Sequence, residues 1–185
     1  MNVTELFTDR LVLQVVDDSR AGQVLDYLYR NREFLAEWEV LRDSSFYSID
    51  SQRLLLLQDT QQMNRGELFK VWIYRKSDPQ VIIGTVTLSN IVRGAFLSCH
   101  LGYRLDGSFE GLGYMTEAIQ EVVRYAFEEL QLHRVEANIM PRNLGSLRVV
   151  QKLGFHEEGL AHKYLKIHGN WEDHIHMVRL NPNID

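Results

Sequence analysis

The segment Glu110-Gly111-Leu112-Gly113-Tyr114-Met115-Thr116-Glu117-Ala118 constrains the fold more than any other part of this chain. Before it, Phe96 to Leu105 (Phe-Leu-Ser-Cys-His-Leu-Gly-Tyr-Arg-Leu) reads as a strand. After it, Ile119, Val122, Val123, Ala126, Phe127 and Leu130 recur at helical spacing and predict a helix from about Met115 to Leu130. Glycines at such a strand-to-helix turn let main-chain N–H groups approach an anion. The first N–H groups of the helix have no intrahelical partner, and the helix dipole favours negative charge there. Thr116 and Glu117 suit a first helical turn. The segment reads as a phosphate seat, although the same pattern also serves plain strand-to-helix turns.

Around this centre the chain alternates strands and helices. Arg10 to Val15 alternates as a strand does, and Asp17 or Asp18 caps a following helix through Gln23 to Tyr29. A short helix is predicted from Asn31 to Trp38, and a third from Ser48 to Met63 with Leu54 to Leu57 as its core face, closed by Asn64-Arg65-Gly66. Leu68 to Arg75 and Gln80 to Leu88 are strands joined by the turn Ser77-Asp78-Pro79. Beyond the long helix, His133 to Met140 is a strand ended by Pro141, and Asn143 caps a short helix through Lys152 with Gly154 as its terminating glycine. Phe155 to Leu180 forms two strands about Ile167-His168-Gly169-Asn170. This order predicts an α+β fold with a central mixed sheet flanked by helices. A right-handed crossover is expected around the central helix, with the glycine turn at the carboxyl end of its strand.

With 185 residues, 45% hydrophobic content, only 3 prolines and no repeat or charge block, one domain over residues 1–185 is expected. The N-terminal segment Met1 to Arg10 lacks the basic start and apolar stretch of a signal peptide, and no window approaches the ~20 apolar residues of a membrane span. A cytoplasmic protein with no membrane partner is the expectation. The net charge of −5 argues against direct nucleic-acid binding and mildly favours a basic substrate. Cys99, the single cysteine, reads as a small buried residue rather than a nucleophile. His162, His174 and His176 carry no cysteine or carboxylate cluster that would complete a metal site, and no metal is expected.

Several motifs, in order, carry a resemblance to a known family. They are Thr8-Asp9-Arg10-Leu11-Val12-Leu13, Ile83-Gly84-Thr85-Val86, Leu101-Gly102-Tyr103, the glycine turn, Leu132-His133-Arg134-Val135-Glu136-Ala137, Met140-Pro141-Arg142-Asn143 with Ser146, Lys152-Leu153-Gly154-Phe155, Glu158-Gly159, Tyr164-Leu165-Lys166 and Gly169-Asn170-Trp171-Glu172-Asp173-His174. Together they resemble the GNAT N-acetyltransferases, within the branch that modifies ribosomal-protein N-termini. The resemblance covers nearly the whole chain. It implies the GNAT fold, a mostly antiparallel sheet splayed between two parallel strands, with acetyl-CoA as cosubstrate in the opening. The cofactor's pantetheine arm would pair with the backbone of Leu101, Gly102 and Tyr103. The pyrophosphate would rest on the turn of Gly111, Leu112, Gly113, Tyr114 and Met115. The family's usual turn begins with Gln or Arg and ends with Gly or Ala; here Glu110 and Met115 stand at those positions, and Glu110 is expected to point outward.

Acetyl transfer to an amine needs a neutral amine, a stabilised oxyanion and a protonated leaving thiolate. Asn143 and Ser146 stand i, i+3 at a helix start, near one mouth of the opening. By resemblance Asn143 bonds the cofactor's arm and Ser146 is the acid, because Val150 occupies the position where many relatives carry a tyrosine. Asn138 is assigned to the cofactor site; it stands where some relatives carry a basic glutamate, and Lys163 stands where others carry a carboxylate. Glu136, Glu158, Asp173 and His174 remain candidate bases. Phe34 and Trp38 would line the acceptor side. The first functional reading is an acetyl-CoA-dependent N-acetyltransferase of a protein N-terminal α-amine, that of an Ala- or Ser-starting ribosomal protein, by direct transfer. The alternatives are a small-molecule acceptor (a polyamine or aminoglycoside) and a CoA-binding protein without catalysis. Monomer and homodimer both remain open.

Overall fold

The computed structural model describes residues 3–184; Met1, Asn2 and Asp185, which the sequence reading includes in the domain, lie outside them. The strands are β1 (Glu5–Phe7), β2 (Leu11–Gln14), β3 (Phe69–Arg75), β4 (Asp78–Val92), β5 (Ser98–Leu105), β6 (Arg134–Ile139), β7 (His156–Ile167) and β8 (Asn170–Leu180). The helices are α1 (Ala21–Arg30), α2 (Arg32–Ala36), α3 (Ile49–Asn64), α4 (Tyr114–Glu128) and α5 (Leu144–Lys152). The strands form one sheet in the order β1-β2-β3-β4-β5-β6-β8-β7, and among the described residues only the β5–β6 pair is parallel.

Alternation along the central strands feeds two cores. Leu11, Leu13, Val71 and Ile73 turn to the face that holds Ala118, Ile119, Val122 and Val123 of α4. Trp72 and Tyr74 turn to the opposite face and meet Val24, Tyr27 and Leu28 of α1 and Leu56 of α3, with the Tyr27 and Trp72 rings edge to face at 5.9 Å. A sheet covered on both faces explains why these strands are almost continuously apolar.

The differences from the sequence reading have local causes. β1 was not anticipated; it is three residues long, and only Leu6 in it is buried. Leu54 and Leu57 are 57% and 45% exposed, so the core face of α3 is Gln52 and Leu56 instead. Gln52 is accommodated there because its amide donates to the Phe46 carbonyl at 2.5 Å. The second helix stops at Ala36 instead of Trp38. The turn after β3 is Lys76-Ser77, while Asp78 and Pro79 already belong to β4, with Arg75 opposite Asp78 and ion-paired to it at 3.0 Å. Phe96 and Leu97 precede β5, where Leu97 takes a φ of 41°, outside the extended region. Asp17 accepts from Ser19 N–H but caps a 3-10 turn over Asp18–Arg20 instead of α1, whose N-cap is Arg20 with no side-chain bond, while Ser48 caps α3 by accepting from Ser51 N–H.

Candidate active site

The site arises where the two parallel strands part. β5 and β6 pair only from Ser98 opposite Arg134 to His100 opposite Glu136. Beyond that point β5 keeps only β4, from Leu101 opposite Leu88 to Leu105 opposite Gly84, and β6 keeps only β8. A cleft of about 560 Å³ opens between them, lined by Leu101 to Leu105 on one wall and Asn138 to Met140 on the other. The inner edge of β5 has lost its ladder partner there, so an amide-bearing ligand can add to it as a strand would.

At the carboxyl end of β5, Asp106 organises the approach to the glycine turn. Its buried carboxylate accepts from Ser108 N–H at 3.0 Å, Asn31 Nδ2 at 3.1 Å and Arg30 Nη2 at 3.2 Å, while Asn31 Oδ1 accepts from Gly107 N–H. Burial raises its pKa, but these bonds more than offset burial and hold it below the ordinary carboxylate value. Gly111 and Gly113 then take φ values of 74° and 81°, and Gly113 caps α4 in the left-handed region. Gly111, Gly113, Met115 and Thr116 line the cleft, with the free first-turn N–H groups of α4 at its end.

On the flank formed by α5, the Tyr103 hydroxyl lies 2.5 Å from Ser146 Oγ and 3.2 Å from the Ser146 carbonyl oxygen. Burial pushes the phenol up to about 12, so Tyr103 stays protonated. Either oxygen can donate across the pair; with the protonated phenol as donor, the serine O–H is free for the cleft. Asn143 Oδ1 accepts from Ser146 N–H at 3.0 Å and so caps α5, leaving its amide Nδ2 as the available donor. Val150 is fully buried in the core and takes no part.

The opposite flank is supplied by β8. His174 is 3% exposed and lines the cleft, its Nδ1 lying 3.0 Å from the Glu172 carbonyl oxygen. A carbonyl only accepts, so Nδ1 carries the hydrogen and Nε2 keeps its lone pair. Burial depresses the imidazole below its ordinary pKa, which keeps it neutral near pH 7. The other candidate bases are committed elsewhere: Glu136 to Arg134 and His176, Glu158 to Arg134, and Asp173 to His162 and the Lys163 N–H. Asn138 lines the cleft with a buried Oδ1 that has no partner among the described residues, an acceptor that suits an N–H of a ligand.

This geometry has relatives. Residues 10–156 match the family model described as Acetyltransferase (GNAT) domain. The chain belongs to the GNAT acetyltransferases. It is 43% identical over 171 residues to "Probable N-acetyltransferase YjcK" of Bacillus subtilis (strain 168), covering 92% of each chain. It is 37% identical over 178 residues to "[Ribosomal protein uS5]-alanine N-acetyltransferase" of Escherichia coli (strain K12), covering 96% of this chain and 91% of that one. Among solved structures, the ribosomal-protein-S5-alanine acetyltransferase from Vibrio fischeri superposes with a TM-score of 0.93 at 35% identity over the whole of both chains. The cosubstrate of GNAT enzymes is acetyl-CoA, and the free strand edge, the glycine turn and the orphaned Asn138 oxygen fit such a ligand.

Of the residues singled out from the sequence of this acetyltransferase, Leu101, Gly102, Tyr103, Gly111, Gly113, Met115, Asn138, Asn143 and Ser146 all line the one cleft, as do Phe34 and Trp38. Leu112 and Tyr114 do not; the Leu112 side chain faces solvent and the Tyr114 ring lies under the Arg10 guanidinium. Glu110, expected to point outward, is exposed and stands at the border of the cleft. Lys163 sits at an irregularity of β7 with φ 50°. Trp171 is 60% exposed, whereas Tyr164 packs on the rings of His174 and His176. The sequence reading missed the Tyr103 hydroxyl, because it assigned Tyr103 by its backbone. Only strand alternation, which sends Leu101 and Tyr103 toward the α5 face, held a signal for it. Among the described residues no helix is long and apolar enough to cross a membrane, and no group of three or more His, Cys, Asp or Glu gathers as a metal site.

Proposed function

We propose that this acetyltransferase moves an acetyl group from acetyl-CoA directly to the N-terminal α-amine of a protein, with an Ala- or Ser-starting ribosomal protein as the acceptor class. The observation that carries the reading is a single cleft with a neutral histidine on one flank and a paired hydroxyl on the other. His174 Nε2 takes the proton of the attacking amine. Ser146 gives its O–H proton to the departing sulfur, and Tyr103 holds Ser146 in place. Asn138 Oδ1 and the Asn143 amide orient the ligands' N–H and carbonyl groups. The amide groups of Leu101 to Tyr103 hold the pantetheine arm, and the turn from Gly111 to Met115 holds the pyrophosphate. An α-amine has a pKa near 8, so a neutral imidazole suffices as its base.

The acceptor flank also favours a peptide over a polycation. Of the two carboxylates lining the cleft, Glu39 is ion-paired to Arg104 at 3.0 Å and Glu110 belongs to the glycine turn. A polyamine or aminoglycoside would have to pair its remaining ammonium groups with a carboxylate already held by Arg104 or with one in the turn proposed for the pyrophosphate. The nearly full-length similarity to an enzyme named for the alanine of uS5 supports the ribosomal acceptor. Initial velocities measured with both acetyl-CoA and an Ala-starting peptide varied test the direct transfer. Intersecting lines, with no acetyl group left on the protein after acetyl-CoA alone, are expected. Parallel lines with an acetylated protein would overturn it.

A further inference from the structure

The opening motif Thr8-Asp9-Arg10 is unused by the chemistry above, yet it is hydrogen-bonded to the glycine turn and to the first turn of α4. Thr8 Oγ1 donates to Glu117 Oε1 at 2.6 Å, Arg10 N–H donates to the same oxygen at 2.8 Å, and Arg10 Nε donates to Glu117 Oε2 at 2.7 Å. With both carboxylate oxygens taken, Arg10 Nη1 reaches on to the Leu112 carbonyl oxygen at 3.0 Å. The guanidinium carbon stands 4.4 Å from the centre of the Tyr114 ring. A Cβ added at Gly113 would come within 3.4 Å of Arg10 Nη2. The guanidinium thus touches Leu112, Tyr114 and Glu117, from the turn into the first helical turn.

We infer that Arg10, aimed by Glu117 and Thr8, is the positioning residue of the pyrophosphate seat. The inference rests on the assignment of that seat to the glycine turn. Its physics comes from the planar trans peptide: fixing the Leu112 carbonyl toward Arg10 fixes the Gly113 N–H in the opposite direction, away from the guanidinium. Two consecutive elements with positive-φ glycines, Gly111 and Gly113, would otherwise sample many orientations of those N–H groups. Arg10 also neutralises the Glu117 carboxylate in the first turn of α4. Unpaired, that carboxylate would repel an anion from the same helix end. Arg10 does not line the cleft, so it acts through the turn and not on the reacting atoms.

Arg10 is half exposed, and its replacement should leave the fold intact. Calorimetric titration with CoA, which needs no acceptor, gives the first readout. Arg10→Ala should raise the CoA Kd about tenfold, the size of a lost charge-assisted bond. Arg10→Lys, which keeps the charge but cannot bridge Glu117 and Leu112 together, should show a smaller rise. The second readout compares donors. Arg10→Ala should lower kcat/KM with acetyl-CoA, leave kcat at saturation nearly unchanged, and leave kcat/KM with S-acetylpantetheine, which lacks the pyrophosphate, at the wild-type value. Equal losses with the two donors, or a wild-type Kd for CoA in Arg10→Ala, would overturn the inference. Failure of the wild-type protein to bind CoA would instead overturn the assignment of the seat itself.

Discussion

Replacing Tyr103 with Phe isolates the hydroxyl pair with the least disturbance, since the ring and its packing remain. The structure gives that hydroxyl one side-chain partner, Ser146 Oγ at 2.5 Å, and a weaker main-chain contact at 3.2 Å. Loss of one such bond costs about 0.5–1.5 kcal/mol of stability. Its kinetic effect runs through Ser146. If Ser146 supplies the proton to the departing sulfur, Ser146→Ala should lower kcat about a hundredfold, the lower range for general acid catalysis, with the KM for acetyl-CoA within about twofold. Tyr103→Phe leaves the serine present but free to rotate. A loss of about tenfold, near 1.4 kcal/mol, is the matching expectation. The double variant should be no slower than Ser146→Ala alone, because Tyr103 has nothing left to position. The assay is thiol release, followed with a chromogenic thiol reagent at saturating acetyl-CoA. Cys99 adds little background, since it is buried and its thiol is pushed up to about 12 by that burial. If Tyr103→Phe slows the Ser146→Ala enzyme as much as it slows wild type, the two side chains act independently and the positioning argument fails.

Further predictions follow from the other flank and the supporting network. His174→Gln should lower kcat/KM and remove from the acidic limb the step at the depressed imidazole pKa, leaving the titration of the substrate amine; persistence of that lower step would exclude His174 as the base. Gly113→Val should abolish measurable CoA binding in titration, because a β-branched residue at φ 81° is strained and the turn must shift to relieve it; near-wild-type affinity would contradict the turn's assignment. Asp106 and Glu117 have folded pKa values below those of the unfolded chain, so they stabilise the protein above the ordinary carboxylate range and cease to do so as pH falls through their lowered values. Urea midpoints against pH should therefore drop below about pH 4, with a shallower drop in Asp106→Asn.

How far the sequence reveals this site depends on whether the deciding interaction is local. The glycine turn, the Asn143 cap and the alternation of Leu101 and Tyr103 are local, and each residue stands where its own backbone preference puts it. Leu54 to Leu57 shows the limit of periodicity: four consecutive leucines fit any helical face, and Gln52 beside Leu56 decides the matter through a bond to Phe46. Pro79 marks a turn in composition but opens β4, where its missing N–H costs no ladder bond at a strand start. The Tyr103–Ser146 pair and the Arg10–Glu117 clamp join residues 43 and 107 positions apart, and nothing in either segment alone announces its partner. The choice of His174 among four candidate bases is a matter of what surrounds each group. Arg134 holds Glu136 and Glu158, and His162 holds Asp173, while burial leaves His174 neutral and facing the cleft.

The most direct measurement is to incubate the protein with acetyl-CoA and an equimolar mixture of Ala- and Ser-starting ribosomal-protein peptides, spermidine and an aminoglycoside, and to locate the acetyl group by fragment mass spectrometry. The account predicts acetyl on the peptide α-amine and none on lysine side chains or the small amines. Acetylation confined to spermidine or the aminoglycoside would keep the family and contradict the proposed acceptor.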